Sequence, residues 1–198
     1  MKGSLIVVAF FCVGCLIGAA NEFRFSTHNV SMYVLYALML QVGIGIGCNR
    51  QLKELIKSLR FKMLLVPVAT ITGTLLFSAF ASLLLTQWSV FDCMAVGSGF
   101  AYYSLSSIFI TQYKGAELGT VALLANIMRE LATLLFTPLM VRWISPLAAI
   151  SCGGASTMDS TLPVITRFAG KQWVFVSIVH AMILDFSVPF WVTFFCTL

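Results

Sequence analysis

The chain has 198 residues, of which 60% are apolar and 10% charged, and its formal net charge is +5. A soluble domain carries roughly 25% charged residues, so water is excluded as the solvent for most of this chain. Nucleic acid is excluded as a partner as well, because the basic residues sit in short connections and form no exposed recognition surface.

The first apolar run is Ser4–Ala20, behind Lys2. Its closing Gly18, Ala19 and Ala20 imitate a secretory signal, and cleavage there would remove a membrane crossing. Within it Cys12 and Cys15 form a CxxC, but no second pair or nearby histidine completes a metal site and no βαβ pattern points to redox chemistry. Cys48, Cys93, Cys152 and Cys196 stand singly in or beside apolar segments, where membrane burial accounts for them. Val30–Cys48 is the second run, and its Gly43 and Gly47 form a GxxxG pair that permits close helix packing. Residues 49–62 follow, with Arg50, Lys53, Lys57, Arg60 and Lys62 against a single Glu54. That balance predicts a cytoplasmic loop. Leu52, Leu55, Ile56 and Leu59 recur at helical spacing, which predicts a basic amphipathic helix lying on the inner leaflet. Met63–Leu85, Leu118–Val141 and Val174–Leu198 complete a set of five runs near or above the roughly 17 to 20 residues that span a bilayer.

Two further segments, 92–112 and 144–167, are apolar in bulk but crowded with Gly, Ser and Thr. They are related by an offset of 55 residues: Gly99 corresponds to Gly154, Thr111 to Thr166 and, in the spans that follow, Glu130 to Asp185. Segments of this composition make poor continuous helices, and non-helical backbone at membrane depth survives only where protein or a wet cavity satisfies its polar groups. Each is therefore expected to break in mid-membrane, as a broken crossing helix or as a re-entrant hairpin. Hairpins are preferred, because about 20 residues divided by a central break leave arms long enough only for half the bilayer. Charge counting does not separate the two, since the seven-crossing alternative merely exchanges Arg142 with Lys114 across the membrane. Both place the N-terminus in the cytoplasm and the C-terminus in the periplasm. The expected fold is an all-α integral membrane protein of about five transmembrane helices plus two discontinuous segments, arranged as an inverted repeat in a single transport domain, as secondary transporters often are.

Ionisable groups inside a bilayer are functional candidates by default, and five qualify: Arg129, Glu130, Asp159, His180 and Asp185. Asp159 lies among Ser156, Thr157, Ser160 and Thr161, just before Pro163, so hydroxyls and freed backbone groups surround one carboxylate. A transported cation and a proton can compete for such a group. Arg129 and Glu130 are adjacent and point about 100° apart on a helix, so at least one needs another partner. Asp159 or a substrate carboxylate is a candidate for Arg129, while Asn126 and Glu130, four residues apart, share a helical face. His180 and Asp185 are five apart on the last span, an imperfect match of faces, and His180 equally fits a hydrogen bond between helices.

The run Ser98-Gly99-Phe100-Ala101-Tyr102-Tyr103-Ser104-Leu105-Ser106-Ser107 resembles the signature of the LysO lysine exporter family. Arg129-Glu130-Leu131, Cys152-Gly153-Gly154-Ala155-Ser156-Thr157-Met158-Asp159 with Thr161-Leu162-Pro163-Val164, and Ile178-Val179-His180 look like later motifs of that family, in its order. The resemblance begins inside the first apolar run, which implies that this run is a retained helix. It implies a multi-pass protein of the bacterial inner membrane that exports L-lysine by proton antiport and carries no cofactor. On that reading Asp159 exchanges a proton for the cationic substrate, and half-helix N-termini near Gly99 and Gly154 hold its carboxylate. Ser104, Ser106, Ser156, Thr157, Ser160 and Thr161 supply neutral hydrogen bonds; Tyr103, Asn126, Arg129, Glu130 and His180 complete the candidate set.

Two departures accompany the resemblance. Family members are longer, with about three further spans ahead of the segment resembling Ser4–Ala20, so a small membrane subunit or a homo-oligomer is expected to complete the scaffold. Asp185 stands where the family pattern leads one to expect a neutral residue. The rival functions are a non-transporting subunit and an intramembrane protease. Ser156 with His180, or Asp159 with Asp185, would serve the protease, but the GxSxG and Gly-x-Gly-Asp surroundings are incomplete.

Overall fold

The computed structural model describes residues 61–198, together with five isolated positions before them. The expected crossings at Ser4–Ala20 and Val30–Cys48, the GxxxG pair and all but the end of the basic loop lie outside the described residues.

Helix α1, Phe61–Ala81, is apolar on every side and runs through Pro67 without a break. Its 21 residues give about 32 Å of helix against roughly 30 Å of hydrocarbon. Helix α2, Val90–Gly97, begins at a capping box in which the Ser89 hydroxyl accepts from Asp92 N–H and the Asp92 carboxylate accepts from Ser89 N–H. It ends after eight residues. The chain then turns through Ser98–Tyr102, with Phe100 and Ala101 at φ of 46° and 71°, and helix α3, Tyr103–Lys114, returns. Lys114 Nζ lies 3.1 Å from Asp92 Oδ1, so the far end of α3 meets the start of α2 and the two helices form a hairpin. Burial opposes the charge on Asp92, but the bonds from Ser89 and the ammonium of Lys114 outweigh it and hold the carboxyl below its ordinary range.

Gly115, at φ of 96°, makes the sharp turn into α4, Ala116–Trp143. Gly119 then passes so close to Thr111 that a Cβ there would collide with the threonine hydroxyl. At 28 residues, about 42 Å, α4 reaches from the mouth of the first hairpin to the start of the second.

The second hairpin opens with Ser145 as N-cap and Pro146 in the first turn of α5, Pro146–Gly153. A tight helical turn, Gly154–Met158, carries its tip, and α6, Leu162–Ala169, returns. Arms of eight residues, about 12 Å each, cannot cross a membrane. Ile150, Ile165, Ala169 and Val176 form one core cluster, flanked by Met63, Val141, Leu147 and Trp173. The end of α6 therefore lies beside the start of α5, at the end of the molecule where α1 begins and α4 finishes. The first hairpin opens at the opposite end, where α4 starts. Helix α7, Val174–Cys196, closes the fold against both hairpins.

Met63–Ala81, Ala116–Trp143 and Lys171–Cys196 are long and apolar enough to cross a membrane. Phe77, Leu84, Leu135 and Phe186 are largely exposed, as lipid-facing side chains are. The described residues thus form an all-α membrane fold. At its centre the two tips touch: Ala155 N–H donates to Phe100 O at 2.8 Å. Gly154 permits this approach, because it adopts φ of 61° and a Cβ on it would collide with the Phe100 carbonyl.

Candidate functional site

Beside the touching tips lies a cavity of about 230 Å³. One wall is the start of α3, with Tyr102, Tyr103 and Ser104; another is the second tip, with Ser156, Met158, Asp159 and Ser160. Glu130 enters from α4 and Asp185 from α7, each near the middle of its helix. Three carboxylates therefore line one small space, and among the described residues none that lines it is basic. Asp159 is exposed at the rim, Glu130 is half-buried, and Asp185 is only 5% exposed.

A short stretch of α4 holds this arrangement in place. Asn126, 2% exposed, accepts from Ala101 N–H at 2.8 Å and donates to Val96 O at 3.2 Å, so it ties the first tip to the end of α2. One turn on, Arg129 Nε donates to Cys152 O at 2.8 Å and Nη2 to Ser151 O at 3.0 Å. A guanidinium there meets the negative end of α5 and its free carbonyls. Nη1 reaches Thr74 Oγ1 on α1 at 3.3 Å. The next residue, Glu130, faces the cavity.

The sequence candidates divide accordingly. Tyr103, Ser104, Glu130, Ser156, Asp159 and Ser160 line the cavity, whereas Gly99, Ser106, Asn126, Arg129, Gly154, Thr157, Thr161 and His180 do not. Arg129 had Asp159 as a candidate partner; the structure gives it backbone carbonyls instead, because the end of a half-helix leaves them unpaired. Gly99 and Gly154 themselves lie where a first arm ends; the helix expected to start near Gly99 begins at Tyr103, and Gly154 opens the tight turn of the second tip. In a hairpin the second arm turns its N-terminus toward the tip, so the positive end at the cavity belongs to Tyr103–Ser104 of α3.

Most of the hydroxyls expected to serve a ligand are engaged in the tips. Ser156 Oγ donates to Gly153 O at 2.8 Å, Ser106 Oγ to Tyr102 O at 2.9 Å and Thr161 Oγ1 to Ser156 O at 3.1 Å. Thr157 Oγ1 lies 2.8 Å from Gly154 O and 3.1 Å from Ser177 O. His180 is fully buried, with Nε2 3.0 Å from Thr70 Oγ1 and Nδ1 3.5 Å from Thr157 Oγ1. Thr70 already donates to Val66 O, so its oxygen accepts the Nε2–H, and His180 links α1 to the second tip. It does not pair with Ser156, so the serine dyad weighed from the sequence is not assembled.

Asp185, one of the five ionisable candidates but not in the final candidate set, lines the cavity, as do Ala101, Tyr102, Ala155 and Met158, which that set also left out. The 55-residue offset between Glu130 and Asp185 was the signal for the first; Tyr102 lies in the signature run but is chemically unremarkable there.

A family model described as lysine exporter LysO matches residues 8–196. The chain belongs to the LysO lysine exporter family. It is 33% identical over 191 residues to lysine exporter LysO of Escherichia coli K12, an alignment covering 96% of this chain and 62% of that protein. To a candidate lysine exporter of Haemophilus influenzae Rd it is 30% identical over 168 residues, covering 83% of each. The chain thus spans less than two thirds of the length of the Escherichia coli relative. No solved structure matches it.

Proposed function

We propose that this chain carries the substrate site of a secondary active exporter of L-lysine or a related cationic amino acid, working by proton antiport in a bacterial inner membrane. The observation that carries the reading is the cavity itself, with three carboxylates and the start of α3 facing one space and no basic side chain there among the described residues. Its volume of about 230 Å³ lies below the roughly 300 Å³ at which drug-sized sites begin, which suits a small metabolite. The N-terminus of α3 carries about half a positive charge and unpaired N–H groups, which suit an α-carboxylate. Asp159, at the rim, offers an anion that accepts either the substrate ammonium or a proton. Membership of the LysO family and the names of both relatives point the same way.

Counterflow tests the reading. Proteoliposomes holding the protein with whatever membrane partners co-purify, preloaded with unlabelled lysine, are expected to take up labelled lysine transiently above equilibrium. Excess external lysine should abolish the signal and leucine should not. Uptake no faster than in empty liposomes would overturn the assignment.

The proposed orientation has the mouth of the second hairpin in the cytoplasm and the C-terminus in the periplasm, by the excess of basic residues before Met63. A cysteine replacing Lys114, at the first mouth, should react with an impermeant maleimide in intact spheroplasts. One replacing Arg167, near the second, should react only in inside-out vesicles. Labelling of both from one side would defeat the inverted arrangement.

A further inference from the structure

Proton exchange at Asp159 leaves two acids of the cavity without a task, half-buried Glu130 and the more deeply buried Asp185. Asp185 sits midway along α7, is 5% exposed and lines the cavity, yet its carboxylate has no hydrogen-bond or ion-pair partner among the described residues. Asn126, His180 and Thr157, also buried, are engaged: Asn126 binds the first tip, and His180 and Thr157 bind each other and their neighbours. A buried carboxylate with no partner is costly, and the cost is relieved when a cation reaches it. Among the described residues no basic side chain of the cavity wall does so.

We propose that Asp185 is a specificity-determining residue that binds the second ammonium group of a diamino acid, and that it selects such substrates over monoamino acids of the same length. The assignment rests on reading the cavity as an amino-acid site. A diamino acid brings one carboxylate and two ammonium groups. The start of α3 accounts for the carboxylate, and rim-exposed Asp159 for the ammonium that is exchanged against a proton. Asp185, at the buried end, accounts for the other. The two aspartates differ in depth, 5% exposed against open to the rim, so an elongated dication can engage both. A substrate with an uncharged side chain leaves Asp185 desolvated and unpaired, and a site built for a polar group rejects an analogue lacking it for that reason.

Equilibrium binding to the protein purified from its host membrane with its co-purifying partners provides the test. The probes are L-lysine, 2-aminohexanoate, which lacks only the side-chain ammonium, and 1,5-diaminopentane, which lacks the carboxylate. Wild-type protein is expected to prefer lysine to 2-aminohexanoate by about ten- to a hundredfold, the range of one charge-assisted hydrogen bond. In Asp185→Asn the preference should fall to within about threefold, mainly through weaker lysine binding, and Asp185→Glu should restore part of it. Size-exclusion profiles establish that each variant is folded, and Asp185→Glu keeps the proposal falsifiable where the Asn variant is not. A folded Asp185→Asn that keeps the full preference, or an Asp185→Glu that shows none, overturns the role. If wild-type protein binds neither amino acid but binds 1,5-diaminopentane in an Asp185-dependent way, the amino-acid reading fails and the cation-binding role of Asp185 stands. If it binds none of the three, both fall.

Discussion

Replacing Asp159 with Asn is expected to abolish proton-coupled export while leaving the protein folded. The carboxylate is exposed at the rim of the cavity, and its recorded partner is the N–H of the next residue, Ser160, so no core contact depends on its charge. Asn keeps the shape and can still accept that bond. What it loses is the anion. A charge-assisted bond to an ammonium is worth about 1.5–3 kcal/mol, roughly ten- to a hundredfold in affinity. The larger loss is in coupling, because an amide cannot carry the returning proton. Lysine added to energy-free inside-out vesicles enters in exchange for a luminal proton, so it should acidify the medium with wild-type protein and not with the variant, and export from cells should drop by at least about a hundredfold. A normally expressed Asp159→Asn variant with wild-type, pH-dependent export would move the coupling role to Glu130 or Asp185.

Gly154→Ala should be as damaging by a different route. Gly154 has φ of 61° and ψ of −131°, outside the left-handed well that other residues visit, which costs a non-glycine residue about 1–3 kcal/mol. Its new Cβ would also strike the Phe100 carbonyl, a backbone atom with no rotamer to change. The tips must then separate, breaking the bond from Ala155 to Phe100 and opening one wall of the cavity. Loss of counterflow with a clear drop in the thermal midpoint in detergent is the expected result. Gly99→Ala is the comparison. There the Cβ meets the side chains of Asn126 and Ser106 and no backbone atom, so only side-chain bonds of the first tip are disturbed and its effect should be smaller. Equal effects of the two substitutions would mean that the contact between tips does not hold the site together.

Both variants lie in segments whose character is legible in the sequence. Gly, Ser and Thr crowded into otherwise apolar stretches mark the breaks, and the offset that pairs Gly99 with Gly154 also pairs Glu130 with Asp185. The long apolar runs from Met63, Leu118 and Val174 appear as α1, α4 and α7, within a few residues at their ends. The direction of each half-helix at the tip was less legible, and so was the target of Arg129. Composition shows that a guanidinium in the membrane needs acceptors, but carbonyls at a half-helix end look like any other residues in a sequence. Hydroxyls posed the same difficulty. Ser156, Thr157 and Thr161 look like ligand donors by composition, yet tight turns consume them first, because turn carbonyls are nearer than any substrate.

Two hairpins that enter from opposite ends and meet at one backbone hydrogen bond would, on the proposed transport reading, leave only a thin insulating layer at their tips. In the proposed orientation, water standing in the cavity brings one solution to the tips, and most of the membrane voltage then falls across a few side chains. A unit charge crossing that layer experiences about 2.3 kcal/mol per 100 mV, nearly all of it in a single short step. Exchanging one monovalent cation for one proton moves no net charge through that step. Such a cycle runs on the pH gradient and is indifferent to the electrical potential.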